Sequence, residues 1–198
     1  MEWSSFDLRE LGQAEYARYH ALMAAEKRAR VDRYRFAEDR RRSVAAEMLA
    51  RRAVAARCGV PEEDVVFAEA ENGKPYAVGL DVEFSLSHAD GLVVFAVDDR
   101  PVGIDVERVH PFDLRAARRV CTAAELQYIF GRAPGPEDFR RTEDPAVLEH
   151  FYRVWTRREA WGKCSGAGVF AGAGEPLPET GFRSFTLGEY VISVYQAP

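Results

Sequence analysis

Val102-Gly-Ile-Asp-Val-Glu107 decides how this chain is read. Val102, Ile104 and Val106 alternate with Gly103, Asp105 and Glu107, the period of a β-strand. The apolar side chains therefore share one face and the two acids share the other. Further along, Trp155-Thr-Arg-Arg-Glu159-Ala-Trp-Gly-Lys163 reads as a helix on which Glu159 and Lys163, four apart, are neighbours. Three carboxylates converging beside a lysine suit a hard cation paired with an anion, the chemistry of a magnesium-bound pyrophosphate.

Working outward, Asp98-Asp99-Arg100-Pro101 makes a hairpin with a strand over 92–97, and another strand covers 84–87. A strand at 65–69 leads to Asn72-Gly73, a strong tight-turn pair before Lys74-Pro75-Tyr76. Upstream, helix formers fill 13–32, and an apolar stripe through Val44, Met48 and Ala55 predicts a second helix over 37–57. Gly59 and Pro61 stop it. Downstream, Thr122 and Glu125 have capping-box spacing, and 131–143, poor in apolar residues, is a loop. Asp144-Pro145 starts a long helix that ends before Gly166. Strands at 181–187 and 190–195 then turn at Gly188-Glu189. Helices followed by strands thus occur twice, which predicts an α+β chain of two similar lobes, 1–104 and 105–198.

The chain has 198 residues, 47% hydrophobic and 30% charged, enough for one core or two small ones. Its net charge of −5 argues against a general nucleic-acid binder. The charge is uneven: residues 27–57 hold eleven Lys or Arg against four acids. Taken alone, that block reads as a solvated helix face before it reads as a phosphate site. Cys58, Cys121 and Cys164 form no paired framework, as in a reducing compartment. No secretory signal and no long apolar run is present, so a cytoplasmic protein off the membrane is expected.

Several side chains have a bland reading beside the functional one. Asp105 and Glu107 would ordinarily be solvated carboxylates, His88 a satisfied turn histidine and Lys74 turn decoration. Trp155 belongs to the apolar stripe of its helix and reads as core. Phe84-Ser-Leu-Ser87-His88 leaves a strand one hairpin before the acids, placed to donate hydrogen bonds to a phosphate. The chain has no GxxxxGK[ST] loop, no GxGxxG, no HExxH and no GxSxG, which removes the common nucleotide-loop, zinc-protease and serine-hydrolase readings.

Gly73-Lys74-Pro75, Ser87-His88, Gly103-Ile-Asp105-Val-Glu107 and Trp155-Thr-Arg-Arg158-Glu159-Ala-Trp-Gly-Lys163, in that order, resemble the motifs of the 4′-phosphopantetheinyl transferases of the larger, pseudo-dimeric type. The likeness runs from about Lys27 to Gly168. It implies two α/β lobes with coenzyme A in the cleft between them. Lys27, Arg30, Arg42, Ser43 and His88 would then grip the adenosine and 3′-phosphate. Lys74, with Pro75 in its turn, Ser87 and Lys163 would reach the pyrophosphate. Asp105, Glu107 and Glu159 would hold Mg²⁺. On that reading the basic block serves one very anionic ligand.

The implied reaction moves the phosphopantetheine arm of coenzyme A to a serine of an apo acyl or peptidyl carrier protein, in a monomeric enzyme. Glu159 would be either the base or a metal ligand only, and Lys163 would offset charge on the leaving 3′,5′-ADP. Residues 121–126 and the 131–143 loop, with Arg118, Arg119 and Arg132, would face the carrier. Arg158 and Arg30 stand where the family commonly has lysine, and the second lobe is short. Two other readings share the residues: a Mg²⁺-dependent phosphodiesterase, and a non-catalytic module that binds nucleotides or carriers.

Overall fold

The computed structural model describes residues 1–168 and 173–198. The chain divides into two compact units, Met1–Val102 and Gly103–Pro198, each mixed α and β. The first contains β1 (Glu2–Asp7), α1 (Gln13–Leu22), α2 (Ala25–Asp32), α3 (Ala37–Cys58), β2 (Phe67–Glu69), β3 (Pro75–Ala77), β4 (Glu83–Ala89) and β5 (Leu92–Asp98). β5 is buried along its length and lies between β1 and β4, antiparallel to both. β1 carries too weak an alternation to be read from sequence. It pairs with β5 from Glu2↔Val97 to Asp7↔Leu92 and so satisfies a strand edge that would otherwise stay unbonded.

Helix α3 is the spine of this unit. Its first half packs Val44, Ala45 and Met48 against Tyr19, Met23 and Val31 of the preceding segment. Its second half packs Val54 and Ala55 against Phe84, Phe95 and Val97 of the sheet. Gly59, at φ 67°, ends it in the left-handed conformation that a side chain would resist.

Residues 13–32 form two helices where the sequence predicts one. Met23 leaves the helix in extended conformation (φ −61°, ψ 144°) with its side chain buried. The carbonyls freed by the break find side-chain donors. Arg51 Nη2 donates to the Leu22 oxygen at 2.6 Å, and Arg28 Nη1 to the Ala21 oxygen at 3.2 Å. Much of the basic block is used in this way. Arg41 donates to the Leu8 and Leu11 carbonyls, Arg52 pairs with Glu15, and Arg57 with Glu2 and Asp99. These arginines brace the unit internally, a use that composition does not reveal.

The second unit begins one residue into β6 (Val102–Arg108) and runs through β7 (Phe112–Asp113), α4 (Ala117–Val120), α5 (Ala123–Phe130), β8 (Arg141–Thr142), α6 (Pro145–Ser165), β9 (Phe182–Leu187) and β10 (Tyr190–Gln196). Its sheet order is β6-β10-β9. Thr122 and Glu125 close the predicted capping box, and Asp144 accepts from the Ala146 and Val147 amides with Pro145 in the first turn. The 131–143 segment is not wholly irregular, since Pro136–Asp138 forms a 3₁₀ turn and β8 pairs with β7. Among the described residues no helix is long and apolar enough to cross a membrane.

Helix α6 buries Leu148, Phe151 and Val154 among Leu114, Ile129 and Val191. Further on it meets β6 backbone to backbone at Gly103. A Cβ added there would lie 1.8 Å from the Ala160 carbonyl oxygen and 2.7 Å from the Cys164 nitrogen. Only glycine allows that approach. Gly103→Ala is therefore expected to cost about 2 kcal/mol or more through forced separation of helix and strand. Chemical denaturation would read this, and a variant as stable as the parent would show that the contact is not a constraint.

Candidate active site

Because α6 meets β6 at Gly103, the acids two and four residues along the strand reach α6 on either side of Ala160, Asp105 at Lys163 and Glu107 at Trp155. Asp105 is 3% exposed and its Oδ1 accepts from Lys163 Nζ at 2.6 Å. Glu107 is half-buried and its Oε1 accepts from the Trp155 indole at 3.2 Å. Glu159 is half-buried on the same helix. These groups feel one another. Burial first, then the Asp105 charge, pushes the Glu107 carboxyl up to about 7, while the Trp155 hydrogen bond and the Lys163 charge pull against that. Glu159 is raised by the same two causes and lowered by Lys163. Tyr152, whose hydroxyl donates to the His110 carbonyl oxygen at 3.3 Å, is pushed up to about 12 by burial and by the Glu107 charge.

The expected quartet Asp105, Glu107, Glu159 and Lys163 is thus one electrostatic cluster on β6 and α6. Among the described residues, however, no three Asp, Glu, His or Cys side chains are gathered into a ready metal cage. Like charges in low dielectric repel, and here the Lys163 ammonium supplies the compensating positive charge. The donor set fits a hard divalent cation in its chemistry: it offers only carboxylate oxygens, and Glu107 and Glu159 hold their protons more tightly than usual until positive charge displaces them.

Trp155, read from sequence as core, does both jobs. It packs at a tilt against Phe151 and also donates its indole N–H to Glu107. Its indole further borders an open pocket of about 420 Å³ lined by Asp113, Arg115, Arg119 and Val120. Arg158, which stands where the resembling family has lysine, binds Glu125 and Glu175. It is 1% exposed and donates to Glu125 Oε2 at 2.5 Å and to the Glu175 carbonyl at 2.9 Å. It therefore ties α6 to the capping box of α5, and the forked guanidinium serves two acceptors at once. The glycine inside a strand and the amphipathic tryptophan were the signals for these roles.

The residues expected to grip an anionic donor lie in the first unit in three places. Lys27, Arg30 and Pro75 line an open pocket of about 570 Å³. Arg42 donates to the Asp90 carbonyl at 3.2 Å and pairs with Asp39, while the Ser43 hydroxyl donates to the Asp39 carbonyl. Asp90 is in the turn directly after β4, which carries buried Ser87 and exposed His88. Lys74 Nζ holds Glu83, at the start of β4, at 2.8 Å. Lys27 pairs with Glu47 and Arg30 with Glu69. Arg42, Ser43, Lys74, Ser87 and His88 stand outside the Lys27 pocket.

Comparison with known families matches residues 11–100 to "4'-phosphopantetheinyl transferase, N-terminal" and residues 101–189 to "4'-phosphopantetheinyl transferase superfamily". The 4'-phosphopantetheinyl transferase psf-1 of Bacillus pumilus is 35% identical over 152 residues, 76% of this chain and 61% of that protein. A 4'-phosphopantetheinyl transferase of Bacillus subtilis is 32% identical over 162 residues, covering 81% of this chain and 68% of the relative. The transferase Sfp of Bacillus subtilis strain 168 is 28% identical with the same coverage. The matched stretch thus spans 61% to 68% of these relatives' length.

The raised Glu107 carboxyl has a stability consequence. The folded protein binds this proton more tightly than the unfolded chain does, so its stabilising contribution is complete below pH 4.5 and is lost as pH rises to about 7. In metal-free buffer the melting temperature of the parent should fall more steeply across that window than that of Glu107→Gln. Parallel curves would remove Glu107 from the cluster's electrostatics.

Proposed function

Because the chain belongs to the 4′-phosphopantetheinyl transferase family, we propose that it moves the 4′-phosphopantetheine arm of coenzyme A onto a serine hydroxyl of an apo carrier protein. The observation that carries this reading is the cluster in which Lys163 is salt-bridged to Asp105 beside Glu107 and Glu159. Such a cluster suits stabilisation of charge developing on a pyrophosphate during phosphoryl transfer, more than passive binding.

In the proposed reaction the serine oxygen forms a bond to the phosphorus that bears the pantetheine. The bond from that phosphorus to the bridging oxygen breaks, and its electron pair leaves with 3′,5′-ADP. Glu159, whose proton affinity is raised by burial and by Asp105, takes the serine proton. Lys163 shifts from Asp105 toward the leaving phosphate as negative charge grows there. Asp105, Glu107 and Glu159 would hold Mg²⁺, which supplies charge neutralisation to the pyrophosphate. Trp155 keeps Glu107 oriented.

The donor's remainder is assigned to the first unit. Lys27, Arg30, Arg42, Ser43 and His88 take the adenosine and 3′-phosphate, and Lys74, Pro75 and Ser87 the pyrophosphate. The proposal therefore uses the family's two-lobe plan, with the donor in the cleft and both units contributing. For the carrier, Arg132 is already bound by Asp138 through two hydrogen bonds, and Arg118 stacks on Phe139. Arg119, which lines the pocket beside Trp155, is the better placed of the three to meet an acidic carrier helix. Among the described residues Cys58, Cys121 and Cys164 form no disulfide, which suits the cytoplasm assigned to the reaction.

Intact mass of an apo carrier after incubation with this protein, coenzyme A and Mg²⁺ tests the reading. The carrier should gain one phosphopantetheine, and EDTA should abolish the gain. Asp105→Ala should lower turnover about 100-fold or more. Release of phosphopantetheine from coenzyme A without any carrier would indicate a phosphodiesterase. Coenzyme A binding with no mass gain on acyl and peptidyl carriers would indicate a binding module.

A further inference from the structure

Glu47 is a carboxylate in the wrong place for a passive side chain. It sits in α3 at 2% exposure, and both its oxygens are used. Oε1 accepts from Arg51 Nε at 2.8 Å, and Oε2 accepts from Lys27 Nζ at 2.8 Å. Arg51 is itself 4% exposed and immobilised by three backbone carbonyls, those of Leu22, Glu62 and Val65. Its guanidinium also lies over the Phe67 ring. Arg51 alone neutralises Glu47, so Lys27 is a surplus positive charge fixed to a rigid base. Its own side chain is 31% exposed and lines the first unit's pocket.

The neighbouring cation is held differently. Arg30 meets Glu69 at 3.1 Å, but both side chains are about half exposed, and such a pair fixes little. A free lysine carries about 2 kcal/mol of rotamer entropy, which must be given up when it takes a ligand. Anchoring its ammonium in advance removes part of that cost.

We propose that Glu47 is a positioning residue. Locked by Arg51, it holds the Lys27 ammonium where the 3′-phosphate of coenzyme A is received, and so sets the preference for coenzyme A over 3′-dephospho-coenzyme A. This rests on the reading that Lys27 meets that phosphate. Glu47 also borders that pocket, and it acts through Lys27 because both its oxygens are taken up by Arg51 and Lys27.

The test compares kcat/KM for the two donors, with an apo carrier and Mg²⁺, in the parent, Lys27→Ala, Glu47→Gln, Glu47→Asp and the Lys27→Ala/Glu47→Gln double variant. The ratio for coenzyme A over its 3′-dephospho form should fall about tenfold in Glu47→Gln and in Lys27→Ala, and no further in the double variant. Glu47→Asp keeps a charge for Arg51 while drawing the oxygen back from Lys27. It should melt near the parent temperature yet lose part of the preference, which keeps the test usable if Glu47→Gln does not fold.

Equal losses on both donors would make Glu47 merely structural, and a raised ratio would make it a competitor of the phosphate. Either overturns the proposal with the donor site intact. An unchanged ratio in Lys27→Ala would overturn it together with the placement of the 3′-phosphate.

Discussion

The missing side chain at Gly103 is the constraint on which the second unit depends. Backbone contact between β6 and α6 leaves no room for a Cβ, since the Ala160 oxygen would be 1.8 Å away. That contact sets the register between strand and helix. Strand periodicity then aims Asp105 and Glu107 at α6, and the helical repeat returns Glu159 and Lys163 to the same side as Trp155. The result is a group of carboxylates in which burial and then the Asp105 charge raise the proton affinity of Glu107 and Glu159, with Lys163 and the Trp155 N–H acting against it at Glu107. Burying carboxylates beside one another costs stability that the Lys163 and Trp155 contacts offset. Buried like charges are retained where chemistry uses them.

Both units apply a common device. A carboxylate with 2% or 3% exposure holds a lysine whose side chain is about one-third exposed: Glu47 with Lys27, and Asp105 with Lys163. The arginines of the basic block serve another purpose. Arg41 and Arg51 satisfy carbonyls that helix breaks and turns leave open, and Arg158 does the same for Glu175. Charge that looks like a ligand-binding stripe in sequence is therefore partly architecture. Five donors on a planar group suit that work better than an ammonium does.

The parts legible in sequence are those governed by local rules. The alternation in β6, the Thr122–Glu125 box, the Asp144-Pro145 start and the stop at Gly59 each depend on residues within one element. The illegible parts depend on distant partners. Residues 13–32 have unbroken helix propensity, and the break at Met23 follows from burial of its side chain and from Arg51 waiting for the Leu22 carbonyl. β1 exists because β5 needs an edge partner. The cluster acids could be named from their motifs, but Trp155 looked like core because it is core as well as a donor to Glu107. Glu47, inside an apolar stretch of α3, gave no local sign of holding Lys27.

The most direct test is a crystal structure with coenzyme A and Mn²⁺, in which anomalous scattering locates the metal. The account predicts a peak bounded by Asp105, Glu107 and Glu159, with Lys163 moved from Asp105 toward the pyrophosphate. A peak elsewhere, or donor phosphates bound away from this cluster with Lys163 still on Asp105, would contradict it.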